Sequence, residues 1–242
     1  MLMSPSPRRF APPPGYSRVK VVDGFDALVT TPFGAGVNAL CWSRELPGNF
    51  EEVVEQLNPG EESATVDEET LQSLRLSQAG RAAVEVLLGD IRLLRTRGLE
   101  PVLDCIQRYP RDDDGSIVPT DVYSFHADSA PVATDTFLCS YTEASSEGLR
   151  NDEAQRRVDV PEIRAALLRQ LGGEDGNEFL QYLRDGCYDL HYAPLPQARP
   201  FSFGLGNLWR IAVEYPGSPV PPCVHRAPET IPGRPPRLLL IS

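Results

Sequence analysis

Apolar and polar positions along the chain fall into stretches of strand period separated by two stretches of helical period. Between residues 16 and 45 the short apolar runs "VKVV", "ALVT" and "VNALCW" alternate with turn residues, which predicts two or three short strands. From Asn49 to Tyr109 the period lengthens, and "NFEEVVEQL" and "SQAGRAAVEVLLGDIRLLRTRG" carry apolar residues at helical spacing. Gly98 follows Arg92, Arg95 and Arg97, as expected where a glycine ends a helix whose last turn is cationic. Amphipathic helices of this kind are expected to cover one face of a sheet.

The acidic turn "PRDDDGS" closes that interval, and "DVYSFHAD" and "DTFLCSYTE" then read as strands from their β-branched and aromatic content. A second helical interval follows with "VPEIRAALLRQLG" and "NEFLQYLRDG". The chain ends on "FSFGLGNLWRIAVEYPG", "PCVHRAPE" and "RLLLIS". Eleven of the 24 prolines lie between Pro194 and Pro236, which suits short strands joined by stiff loops rather than helix. The expectation is a mixed α+β fold, mainly β. Residues 16–110 supply N-terminal strands and supporting helices, and residues 111–242 a barrel core interrupted by a helical insertion at about 145–190, all within one catalytic domain. The Pro- and Arg-rich start, "MLMSPSPRRFAPPP", is expected to be a disordered tail over residues 1–15. It lacks the apolar segment of a signal peptide, so a cytoplasmic location is expected.

Composition narrows the chemistry. A net charge of −11 disfavours a nucleic-acid surface, and no apolar run approaches the length of about 18 residues that a membrane span requires. The five cysteines form no CxxC pair and are odd in number, against a disulfide framework or a structural zinc site. Lys20 is the only lysine, which argues against Schiff-base and Walker-type chemistry. The glycine-rich "GAGVNA" at 34–39 is followed by "LCWSRELPG", not by a helix, and reads as a turn rather than a dinucleotide fingerprint. Neither GxSxG nor HExxH occurs. Pro194–Ser242 holds five arginines against two glutamates, a locally cationic end on an acidic chain.

Three residues carry the chemistry. On a strand, His126 and Asp128 of "SFHADS" face the same way, as two ligands of one ion would. With His225 they supply two imidazoles and one carboxylate, the set that holds non-haem Fe(II) on one face and leaves positions open. His191 reads as a hydrogen-bonded structural residue and Trp209 as core. Among the aromatics, Tyr141 is the one expected to turn a hydroxyl toward a ligand.

The C-terminal "VHRAPETIPGRPPRLLLIS", with a histidine followed by an arginine opening an apolar strand, resembles the Fe(II)/2-oxoglutarate-dependent dioxygenase superfamily and its HxD…H…R pattern. "FHAD", "FLCSYTEASSEGL" and "HRAP…PRLLL" are similar to an uncharacterised bacterial branch of it, over about residues 120–242. The resemblance implies a double-stranded β-helix (a jelly-roll, cupin-like barrel), Fe(II) held by His126, Asp128 and His225, and 2-oxoglutarate as cosubstrate. It makes Arg237 the anchor for the distal carboxylate, with Arg234 and Arg226 as competitors. Arg226 should face away from the metal because it directly follows His225, and Arg234 lies in a turn. The implied activity is hydroxylation or demethylation of an unidentified small-molecule or protein substrate, using dioxygen and releasing succinate and CO2. The alternative is a cupin-like metal- or small-molecule-binding protein without turnover.

Overall fold

Residues 9–60, 63–112, 115–231 and 233–242 are described by a computed structural model of the chain, a mixed α+β fold that is mainly sheet. The larger sheet has seven strands in the order β1 (Val19–Val22), β2 (Ala39–Trp42), β11 (Leu208–Ala212), β6 (Asp135–Ser140), β13 (Arg237–Ile241), β4 (Val102–Ile106) and β3 (Ser63–Thr65). The smaller has six, in the order β10 (Phe201–Ser202), β7 (Glu147–Leu149), β12 (Val224–Arg226), β5 (Phe125–His126), β9 (His191–Pro194) and β8 (Ala154–Arg156). Apart from the parallel β1–β2 pair, the described strands pair antiparallel.

Four of these pairs are nested. β4 pairs with β13, β5 with β12, β6 with β11, and β7 with β10, and the pairs fall alternately in the large and the small sheet. The chain therefore runs out along four strands and returns along their partners, like one long hairpin folded over itself into two layers. This brings β5 and β12, which carry the two histidines of interest, side by side despite the long interval between them.

Strand period divides the large sheet into two faces. Phe137, Cys139, Tyr141, Leu238 and Leu240 face α2 (Phe50–Leu57) and α4 (Gln78–Arg95), whose Val53, Val54, Leu87, Leu88, Ile91 and Leu94 complete that core. Leu138, Trp209, Ile211 and Leu239 face the other way, against Phe203 and Cys223 of the small-sheet side. Each fully buried leucine contributes about 1.5–3 kcal/mol relative to exposure. The helix layer is locked by sequence-local caps: Asn49 accepts from the Glu52 N–H, and Ser77 accepts from the Gly80 N–H while its hydroxyl and N–H donate to Glu52. Arg44 clamps α4 to the sheet through two bonds to the buried Asp90 carboxylate, at 2.6 and 2.8 Å. No described helix is long and apolar enough to cross a membrane.

Several elements depart from the pattern reading. "ALVT" lies in helix α1 (Phe25–Thr30) rather than a strand, because Phe25 and Leu28, three apart, bury one helical face beside β2. β4 runs through "VLDCI" inside the interval expected to be helical; its alternation is masked by Asp104, which stands in the row of Ile106 and accepts a 2.7 Å bond from Thr65 on the edge strand β3. Strand β7 shows that the insertion begins after residue 149 rather than at 145. Its β8 joins the small sheet beside β9, while α5 (Pro161–Leu171) and α6 (Asn177–Asp185) pack as a separate cluster around Val158, Leu167 and Phe179. Of the segment expected to be a tail, residues 1–8 lie outside the described residues. Residues 9–15 form no helix or strand, yet the Phe10 N–H donates to Ser43 and its ring meets Trp209 edge-on at 4.8 Å.

Candidate metal centre

On β5 and β12, Phe125 and Val224 pack with Leu149 on the outer face of the small sheet. Alternation therefore turns their neighbours His126 and His225 toward the space between the sheets, on the side of Cys223. The two histidines are directly opposite one another, with ring centroids 4.6 Å apart. After His126 the chain leaves the strand. The Ala127 N–H donates to the Leu190 carbonyl and the Asp128 carbonyl accepts from the Glu214 N–H, at 2.9 and 2.7 Å, which holds the backbone on either side of the Asp128 side chain.

Asp128 Oδ2 accepts a 2.6 Å bond from the Thr136 hydroxyl. Its Oδ1 lies 3.9 Å from His126 Nε2 and 3.8 Å from His225 Nε2. These separations are too long for hydrogen bonds. One ligand atom from each residue falls within 4.8 Å of the others, which leaves room for a single ion among them.

The remaining ring nitrogens are also accounted for. His126 Nδ1 is 2.8 Å from the Ser124 carbonyl oxygen and His225 Nδ1 is 3.3 Å from that of Cys223. A carbonyl can only accept, so in each neutral ring Nδ1 carries the proton and Nε2 presents its lone pair inward. Burial, reinforced by His225, pushes His126 down to about 4, so that imidazole is neutral at ordinary pH. Although burial opposes it, the neighbouring His225 and the Thr136 bond hold Asp128 below the usual carboxylate range. Two imidazole nitrogens and one carboxylate oxygen suit a divalent ion of the Fe(II) type.

Arg237 opens β13 on the inner face and is 7% exposed. Its Nη2 donates to the Ser140 and Ser146 hydroxyls, at 2.9 and 2.7 Å, and its Nη1 to the Tyr109 hydroxyl at 3.3 Å. Nε has no partner, and no described carboxylate pairs with the guanidinium. Burial pushes its pKa below the ordinary value. Desolvating a cation without a counter-ion costs several kcal/mol, a cost that a bound anion would offset.

The other predicted residues go elsewhere. Arg234 borders the same cavity as Arg237 but stands largely in solvent, 3.7 Å from Glu143. Arg226 is on the outer face, paired with Glu147 at 2.6 Å and stacked 4.5 Å over the Phe125 ring, as its position after His225 requires. Tyr141 does not face the site: with Phe137 and Cys139 it turns to the helix layer, and its hydroxyl donates to Asp90 at 2.7 Å. Its neighbour Ser140 holds the inward position. Trp209 is core, its indole N–H donating to the Phe203 carbonyl. Tyr109, Ser140 and Ser146 escape a reading of the sequence because only strand pairing brings them to Arg237. His191 belongs to the site's surroundings, directly opposite His126 on β9 with ring centroids 5.7 Å apart. No family model, curated protein or solved structure matches the chain, so the reading of the site rests on its own residues and geometry.

Proposed function

We propose that the chain is a non-haem Fe(II)/2-oxoglutarate-dependent oxygenase on a double-stranded β-helix. The observation that carries this reading is the pairing of two features on the inner faces of the sheets: three side chains of ligand type converging on one point, and a buried arginine with hydroxyl partners but no carboxylate among the described residues. The four nested pairs support the fold assignment, since eight strands folded back in two layers make a jelly roll.

The residues fit the groups the reading requires. His126, Asp128 and His225 would hold the iron, with both imidazoles fixed in the ligand tautomer by backbone carbonyls and Asp128 oriented by Thr136. Arg237 would bind the far carboxylate of 2-oxoglutarate through its charge, with Tyr109, Ser140 and Ser146 holding the guanidinium in place. When bound, iron and 2-oxoglutarate together supply the oxidising power: dioxygen is reduced as the keto acid loses CO2 to give succinate, and a C–H bond of a second substrate is oxidised. On the His225 side the packing is apolar: Phe203 stacks on Trp209 at 4.2 Å and its ring centroid lies 6.4 Å from that of His225. Fe(II) uptake and oxygen-dependent succinate release by the purified protein test the proposal. Protein that takes up Fe(II) but forms no succinate under any condition contradicts turnover and leaves a binding protein.

A further inference from the structure

The row of the small sheet that carries His225 and His126 continues beyond them. His126 lies opposite His191, and the β8–β9 register, with Arg156 opposite Tyr192, brings the following residue, Arg157, to the sheet edge beside His191. The sequence His225, His126, His191, Arg157 thus crosses the sheet from the metal ligands outward. Past the ligands it holds polar atoms with nothing to bond. His191 Nδ1, Arg157 Nε and the Ser124 hydroxyl are all buried without a partner, and they make up half of the six such side-chain atoms among the described residues. Ser124 belongs with them because it stands two residues before His126. Buried polar groups in folded proteins are nearly always bonded, so three orphans in one neighbourhood point to a missing ligand.

Ser124 and Arg157 line a cleft of about 360 Å³. Its carboxylates are already engaged: Asp112 accepts from Thr120, Asp121 from the N–H groups of Asp112, Tyr123 and Ser124, and Glu229 from Arg111. Arg157 is the one charged residue of the lining with no hydrogen bond or ion pair to a described residue. A planar guanidinium with free donors, beside a hydroxyl and an imidazole, matches a carboxylate.

We propose that Arg157, Ser124 and His191 form the subsite for a carboxylate of the molecule oxidised at the metal centre, so that the prime substrate is an organic acid. This rests on the oxygenase reading for its role, but the anion subsite can be tested apart from it. Benzoate, propionate and N-acetylglycine are compared with their neutral amides by ligand-observed NMR, on metal-free and Zn(II)-loaded protein. The comparison covers wild type, Arg157→Gln, Arg157→Lys and Arg237→Gln, with 2-oxoglutarate titrated in parallel and folding checked by thermal melts. At least one acid should bind wild type while its amide does not. Arg157→Gln should weaken that acid tenfold or more and Arg157→Lys less, whereas Arg237→Gln should weaken 2-oxoglutarate and spare the acid. The proposal is overturned if no acid binds wild type, if the amides bind as well as the acids, or if Arg157→Gln binds them like wild type. Failure of the oxygenase reading shows separately, as wild-type protein that takes up no metal while acid binding still depends on Arg157.

Discussion

His225 sits directly opposite His126 across the β5–β12 pair, and the Nε2 atoms of both lie within 3.9 Å of a single oxygen of Asp128. Nothing in the hydrogen bonding of the fold demands this convergence, since the three atoms are too far apart to bond each other.

Thr136 holds the second oxygen of Asp128, so Thr136→Val should leave the fold intact and lower metal affinity about 10- to 100-fold. Asp128→Glu should do at least as much harm, because a lengthened arm moves the carboxylate beyond the roughly 0.5 Å a site tolerates. Calorimetric titration with Mn(II) or Zn(II) measures both. Wild-type affinity in the two variants would show that Asp128 is not a ligand.

Arg237 and Arg234 border one cavity, but only Arg237 is buried and lacks a counter-ion. Arg237→Gln should cost about 1.5–3 kcal/mol of 2-oxoglutarate binding, or roughly ten- to a hundredfold in Kd, with metal uptake retained. Arg234→Gln should change it little. If the two variants exchange phenotypes, the exposed arginine is the anchor and the burial argument fails.

Tyr141 is bonded to the Arg44–Asp90 pair in the helix layer, so Tyr141→Phe should lower stability by about 1–3 kcal/mol. Denaturant titration measures that loss. The 2-oxoglutarate affinity of the same variant should be unchanged, and a weakened affinity would place the Tyr141 hydroxyl at the site after all.

Burial pushes both His126 and His191 down to about 4, the first helped by His225 and the second by Arg157. In the unfolded chain each titrates near the ordinary value of about 6.5. Between these values the unfolded state binds more protons, so the stability of the metal-free protein should fall as pH drops from about 6.5 toward 4. The slope is up to about 1.4 kcal/mol per pH unit for each histidine. Denaturant melts at pH 7 and pH 5 should show a smaller drop for His191→Gln than for wild type. An equal drop would mean that His191 is charged in the folded protein.

Much of this site could be read from the sequence where it depends on strand alternation and little of it where it depends on pairing. Phe125, Val224 and Leu238, the apolar neighbours of His126, His225 and Arg237, belong to the opposite faces, so the inward direction of the three follows from period. The same rule, applied from Leu138, puts Ser140 inward and Tyr141 outward, and a reading by residue type rather than by face misassigns the tyrosine. Asp128, two residues after His126, faces the same site as alternation predicts, although it lies just past the end of β5, with backbone bonds from Ala127 to Leu190 and from Glu214 to Asp128. His191, Tyr109 and Ser146 carry no local signal, because what makes them neighbours is register between strands far apart in the chain. β4 was hidden for a related reason: Asp104, mid-strand, is made acceptable by Thr65 of an edge strand too short to be seen in the pattern.

The most direct test of the central claim is an anaerobic titration of the metal-free protein with Fe(II) and then 2-oxoglutarate, followed by visible absorption. Chelation of iron by the keto acid in a site of two imidazoles and one carboxylate should give a charge-transfer band in wild type. The band should be absent from His225→Ala, which loses a ligand but none of the apolar core, and it should need ten- to a hundredfold more 2-oxoglutarate in Arg237→Gln. Wild-type protein that binds Fe(II) yet develops no band at saturating 2-oxoglutarate, or a band that survives in His225→Ala, would contradict the account.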